Sequence, residues 1–435
     1  MSLNNFYKRL PIYRLVAAVL ILITILVCSI QQIWYSHWGS DPRVFLHAAN
    51  LLLQGQDIFS VPNRFGLYYV YPPLFAFLSI PLTFLPVEVV IPFWTLASVV
   101  LLGWSMAAFY SGMMGRPFFS LPQKTRWIVC FFTVLLTTRF TLYHLQAGQS
   151  DIFVLALVVL GLVLLSRNQE FRSGIAIGLS IVIKIVSIPF VFWFLARRRP
   201  KVIAALVLGC LIGIGLPALV VGVEKDLYYH RQWLRVVIAN APGTGTSSGV
   251  GNLSPRAQVD RFFLNVPAFE YEGRSYRLTI TELRPGSVRV IGYLLMFIIA
   301  SAITWYAVRY RNATPLVSQW GGFALVFSLI PSFSTWTEVH HLVFLIPAYM
   351  YVMHLWYSHL VTDRLFRALV LLSFVLTTLT TKAFCGVFLS RLLTALGFVS
   401  YGMLLLSAAI FRAASCLEIR GDIERTERSS EATKA

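Results

Sequence analysis

The chain has 435 residues, 57% hydrophobic and only 12% charged, with a formal net charge of +18 and a mean hydropathy of +0.72. That composition excludes a soluble globular protein and a disordered one. Apolar runs of spanning length recur along nearly the whole sequence, so the chain reads as a polytopic helical membrane protein with no room for a large soluble domain. The positive charge does not point to nucleic acid. Residues 412–435 carry five basic and five acidic side chains, so the excess lies in short loops between apolar runs, where the positive-inside rule puts it. The five cysteines (Cys28, Cys130, Cys210, Cys385, Cys416) stand singly, with neither metal-site nor disulfide spacing.

In chain order, the first apolar run, Leu15 to Ile33, has a basic flank (Lys8, Arg9, Arg14) and no small-residue cleavage site, and reads as a retained span. An amphipathic helix follows over 43–54. Arg43, His47, Asn50 and Gln54 lie on one face, and Val44, Phe45, Ala48, Leu51 and Leu52 on the other. Such a helix belongs in the membrane interface. From Pro73 to Tyr110 two apolar runs meet at Pro86, and two full crossings would put Arg116, Lys124 and Arg126 on the wrong side, so one run crosses only in part or the loop breaks the charge rule. Further spans are expected near 127–145, 149–166, 202–222, 288–308, 316–332, 341–357, 366–381 and 391–411. The stretch 173–196 must enter and return, and Lys184 and Pro189 split it into short or broken helices. The total is about eleven to thirteen spans, short ones included. The expected organisation is one transmembrane unit over 1–411 and a charged, flexible cytoplasmic tail over 412–435. With the N-terminus inside, the loops 34–72 and 223–287 fall outside, together with 144–151 and 331–341.

The ionisable residues of interest gather on that outer side. Asp41-Pro42 reads as a helix cap followed by proline, and equally as a carboxylate held at the membrane surface. Tyr71, ahead of Pro72 and Pro73, fits an interfacial aromatic belt or a wall for a sugar. Gln149 and Asp151 open a span, as capping residues or as ligand donors. Lys184 lies inside an apolar run, where a cation is costly and usually functional, paired with a phosphate or a carboxylate. Asn252 and Arg261 follow a Gly/Ser/Thr-rich stretch over 242–251 that looks like a mobile lid. Trp336 and Glu338 precede His340 and His341. Successive helical residues diverge, so at most one histidine of the pair faces Asp41, and no second ligand at the usual i+4 spacing argues for a metal. No metal and no cofactor is expected.

Taken in order, these segments resemble glycosyltransferase family 87. The likeness rests on Asp41 ahead of the amphipathic helix, then Tyr71-Pro72-Pro73, Gly148-Gln149, and Lys184 before a span ending at Arg197. It continues with Gly251-Asn252-Leu253-Ser254, Arg261, and the run from Trp336 to His340-His341. The resemblance implies an all-α GT-C-type membrane bundle. It implies transfer of a hexose, mannose in the best-known members, from a polyprenyl-phosphate donor to a lipid or glycan acceptor on the exoplasmic face of a bacterial plasma membrane. Asp41 would be the general base, with His340 or His341 as base or positioner. Lys184 and Arg261 would neutralise the leaving phosphate, and Arg43, Tyr71, Gln149, Asn252, Trp336 and Glu338 would line the substrate site. One essential carboxylate and no carboxylate nucleophile fit inversion. The alternative is a transporter or flippase of a lipid-linked sugar, which broken helices and an intramembrane lysine also fit. It predicts a midplane site open to both sides, whereas an enzyme predicts that Asp41, Lys184 and the histidines converge on one outward-facing cavity.

Overall fold

A computed structural model describes residues 12–35, 40–239 and 248–434. It is an all-α polytopic membrane protein. Among the described residues seven helices are long and apolar enough to cross a membrane, and an eighth crossing follows if the bent pair Arg364–Leu379 and Lys382–Ala395 is one span. Four further apolar helices, Ala18–Trp34, Pro73–Phe84, Asp151–Ser166 and Ile185–Ala196, are shorter. Large apolar side chains such as Val100, Phe131, Leu211 and Phe297 stand exposed on the long helices. On a soluble protein they would be a liability, but toward lipid they carry no cost.

The difficulty at Pro86 resolves as a partial crossing. The first run forms only Pro73–Ser79 and a 3-10 turn, Ile80–Phe84. Twelve residues rise about 18 Å, short of a bilayer core. The second run forms the full-length helix Val87–Met114. The stretch 173–196 is broken as expected. The helix Glu170–Ile183 ends at Lys184, whose backbone is extended (φ −154°), and a 3-10 turn leads into Pro189–Ala196.

The amphipathic helix is Asp41–Leu53, and Val44, Phe45, Ala48, Leu51 and Leu52 are buried as the pattern required. Its N-cap is Ser40 and not Asp41, so the carboxylate sits one position into the first turn with Pro42 behind it. The expected outer loop is not loop throughout. It contains the helices Val223–Ala239 and Pro255–Phe263 and a small antiparallel hairpin in which Phe269 pairs with Tyr276. Most of the stretch expected to act as a lid lies outside the described residues. The last helix runs from Phe398 to Lys434, past the expected boundary at 411.

Close packing behind the site rests on small residues. Gly174 and Gly178 face Ala205 and Gly209 across two helices, and a Cβ at either glycine would strike the partner's backbone. This is small-residue packing of the kind that holds helices together in lipid, where no hydrophobic driving force separates them from solvent.

Candidate active site

The site is built at a corner. The helix Gln123–Ala147 ends at Gly148, and Asp151 opens the next helix. Gly148 has φ +69°, and a Cβ there would meet the ring of Pro42 and the amide of Gln32. A side chain at 148 is therefore excluded twice, by backbone conformation and by space. The bare glycine lets the first turn of the amphipathic helix come up against the corner. Gln32 fastens the same place, donating to the Leu145 carbonyl at 2.7 Å. Asp41 and Asp151, 110 positions apart in sequence, thereby share one site.

Asp151 is fully buried at its centre. Its Oδ1 lies 2.7 Å from Lys184 Nζ, and its Oδ2 lies 3.7 Å from His340 Nε2 and 3.9 Å from His144 Nδ1. Lys184 reaches it because the chain breaks at that residue. The ammonium also lies 5.1 Å from the centre of the Tyr71 ring, a cation–π distance. Tyr71 donates to Gln149 Oε1 at 2.8 Å, and Gln149 in turn hydrogen-bonds Asp41. Burial holds the Tyr71 hydroxyl well above the ordinary tyrosine range, so it stays a donor.

Asp41 is only half-buried as a residue, but its carboxyl is enclosed by these side chains. That enclosure pushes its pKa up to about 7; Lys184 opposes the rise, and Glu338 and Asp151 add to it. Desolvation disfavours the charged carboxylate, and neighbouring negative charge does the same.

The histidines enter from a 3-10 turn, Val339–Leu345. Here the expectation that the two rings diverge is corrected. On the tight turn their centroids lie 4.2 Å apart and both reach the Asp151 group. They have different duties. His341 Nδ1 accepts the Glu338 backbone N–H at 2.9 Å, closing a capping box in which histidine replaces the usual Glu or Gln. The neutral ring must then carry its proton on Nε2, which makes that atom a donor. His340 stacks on Tyr143 with an interplanar angle of 8°, and its Nδ1 lies 3.6 Å from Glu338 Oε2. Trp336 donates to the other Glu338 oxygen at 2.9 Å.

Asp151, His340 and His341 offer ligand atoms within 4.8 Å of one another, a spacing that a metal ion accepts and that sequence spacing did not reveal. Two features weigh against that use. Lys184 already neutralises Asp151, and the Glu338 N–H commits His341 to the tautomer with a proton on Nε2. A metal there would have to displace a cation and break a cap.

Of the residues singled out from sequence, the structure brings together Asp41, Tyr71, Gln149, Lys184, Glu338, His340 and His341, with Trp336 at the edge. Three stand apart. Arg43 packs over Phe65 and donates weakly to the Ile33 carbonyl. Asn252 holds the loop beneath Trp336, donating to the Thr335 carbonyl and accepting from the Thr337 N–H at 3.0 Å. Arg261 is fully buried and spends its nitrogens on the carbonyls of Ser248, Gly249, Asn252 and Ala395. It fastens that loop and does not face the site. Sequence reading gave no role to His144 or Tyr143, and left Asp151 between cap and ligand donor. The Asp151–Lys184 pair was legible only as a buried cation in need of a phosphate or a carboxylate.

Two cavities flank the cluster. One, of about 680 Å³, is almost wholly apolar and is lined by Phe75, Leu82, Trp94, Phe153, Leu157 and Ile183 among others. Ile183 adjoins Lys184 in the chain and Phe153 lies two residues past Asp151. The other, of about 490 Å³, touches Tyr143 and Glu338 and carries basic side chains.

Residues 69–330 match the sequence profile of Glycosyltransferase family 87. The chain belongs to that family. Asp41 and the run from Trp336 to His341 lie outside the matched residues. A curated relative, the polyprenol-phosphate-mannose-dependent alpha-(1-2)-phosphatidylinositol pentamannoside mannosyltransferase of Mycolicibacterium smegmatis, is 26% identical over 293 residues, covering 67% of this chain and 62% of the relative. The match thus spans less than two thirds of the relative's length. No solved structure matches.

Proposed function

We propose that this protein is a membrane glycosyltransferase that moves a hexose, mannose by analogy with the relative, from a polyprenyl-phosphate donor to a hydroxyl of a lipid or glycan acceptor. The observation that carries the reading is the convergence of Asp41 with the Lys184–Asp151 pair and both histidines at one corner of the bundle. A midplane site open to both sides would not gather them at helix ends. The basic loops lie at the far ends of these helices, which by the positive-inside rule supports an exoplasmic site.

In the proposed reaction the acceptor oxygen attacks the anomeric carbon as the carbon–oxygen bond to phosphate breaks. The hydroxyl proton passes to Asp41, and the electron pair leaves with the polyprenyl phosphate. One base and one displacement invert the anomeric centre. Asp41 suits the base, because a pKa of about 7 keeps it both ionised and proton-seeking near neutrality. Lys184 supplies positive charge to the leaving phosphate, and His341 Nε2–H donates a hydrogen bond beside it. Asp151 is a positioning residue: it fixes the ammonium while the chain is empty and yields part of it when the phosphate arrives. The apolar cavity beside Lys184 suits the isoprenoid chain of the donor.

The test is transfer of label from polyprenyl-phosphate-[14C]mannose to a membrane-lipid extract by the purified protein in lipid, with and without a chelator. Parallel incubations use other polyprenyl-phosphate hexoses. A labelled product that forms equally in the chelator supports the reading. Absence of any labelled product, together with donor movement between leaflets, overturns it in favour of a flippase.

A further inference from the structure

The basic cavity has no part in the reaction as described. It is bounded by Arg139, Lys382 and Arg391, with Tyr143 and Glu338 at the end nearest the cluster. Arg139 is anchored through Nη1 to the Thr377 carbonyl at 2.6 Å and to Thr380 Oγ1 at 3.1 Å. Arg391 donates to the Glu270 carbonyl. These anchors are neutral. Among the described residues none of the three cations forms an ion pair with a carboxylate. Elsewhere Arg199, Arg309 and Arg412 all do.

The one carboxylate on the cavity wall is already engaged. Glu338 accepts from Trp336 and lies beside His340. A buried hydroxyl at the wall, Thr381 Oγ1, has no hydrogen-bond partner. Thr381 and Lys382 sit where the chain bends by 87° between Arg364–Leu379 and Lys382–Ala395. The bend sets these residues at the cavity.

Three unpaired cations and an orphaned donor around one cavity describe an anion site. The apolar cavity near Ile183 and Phe153 is lined by no such charge. We propose that the basic cavity binds a phosphate carried by the acceptor, so that Arg139, Lys382 and Arg391 seat the acceptor with its hydroxyl toward Asp41. This rests on the glycosyl-transfer reading and assigns the donor phosphate to Lys184 and the acceptor phosphate to this second group. The phosphate has two possible sources, a phospholipid headgroup in the membrane or a phosphorylated glycan from water.

The experiment uses the full-length protein in zwitterionic nanodiscs and the Lys382→Gln/Arg391→Gln double variant, which leaves the Arg139 anchor in place. Three acceptors are compared at saturating donor: a glycosylated phosphodiester lipid, its uncharged diacylglycerol counterpart, and a soluble phosphorylated oligosaccharide. The expected result is a KM about ten- to a hundredfold higher for whichever phosphate-bearing acceptor is used, as loss of charge-assisted hydrogen bonds requires. The kcat, the donor KM and the reaction of the uncharged acceptor stay unchanged. The charged acceptor that responds identifies the source. Equal loss with the uncharged acceptor, or a change confined to the donor KM, overturns the proposal. Binding of the labelled phosphodiester lipid is measured separately. A variant that binds it as well as the unaltered protein overturns the anion site even if transfer is seen. Weakened binding without any transfer keeps the anion site and sinks the transferase reading instead.

Discussion

The helix Asp151–Ser166 joins two regions that use charge in opposite ways. At its far end the loops carry exposed pairs: Arg199 with Glu170, Arg309 with Glu418, and Arg412 with Asp363. The arginine side chains of these pairs are 41–49% exposed. Such pairs contribute little because water and salt screen them. At the near end Lys184 and Asp151 are 10% and 0% exposed and share their space with two histidines. Removing those charges from water is expensive, and their mutual attraction offsets the cost only while both are present. Two of the exposed pairs, through Glu418 and Arg412, join the last helix to its neighbours. The buried end is costly to stability, which is the usual mark of a site kept for chemistry.

Substitutions at the two ends sharpen that contrast. The largest effect is expected from Asp41→Asn, which should lower the single-turnover rate by about 10²–10⁴, the range of general-base catalysis. Its fold should not suffer. The folded pKa of Asp41 is raised, so the native state loses stability as pH climbs from the ordinary carboxylate range through about 7. An amide carries no such loss, and thermal unfolding at pH 8 should come at an equal or higher temperature. A markedly lower melting point would make Asp41 a structural residue. Next is Lys184→Met, which should cost about 10²–10³ in rate and about 3–5 kcal/mol in stability, because it strands a buried carboxylate. Adding Asp151→Asn should restore most of the stability but none of the rate. Additive losses in both readouts would mean that the pair does not act as a unit. The smallest effect is at the exposed end: Arg199→Ala should change unfolding by about 0.2–1 kcal/mol and leave transfer unaltered.

Much of this contrast was legible in the sequence, and the reasons for the gaps are physical. The amphipathic helix was readable because a period of 3.6 places Phe45, Ala48 and Leu52 on one face whatever they touch. The break at Lys184 was readable because a cation in an apolar run demands an explanation. Asp151 was underweighted because a carboxylate at a helix start already has a local use, and nothing in the sequence near it points to Lys184. The histidine pair was misjudged because α-helical geometry was assumed where the chain makes a 3-10 turn. Arg261 looked like a phosphate ligand because arginine in a flexible loop usually faces solvent; here four backbone carbonyls enclose it. The basic cavity was not legible, since Arg139 and the helix that carries both Lys382 and Arg391 are far apart in the chain and meet only through the bend after Leu379.

The central claim is that the buried cluster tunes Asp41 to act as a base near neutrality, and the pH dependence of kcat tests it most directly. Below its pKa the carboxyl is protonated and cannot accept the acceptor's proton. The rate should therefore rise tenfold per pH unit up to a bend at about 7, leaving it about a hundredfold below its plateau at pH 5. A rate that is level from pH 5 to 8, or that bends near the ordinary carboxylate value, would contradict the account.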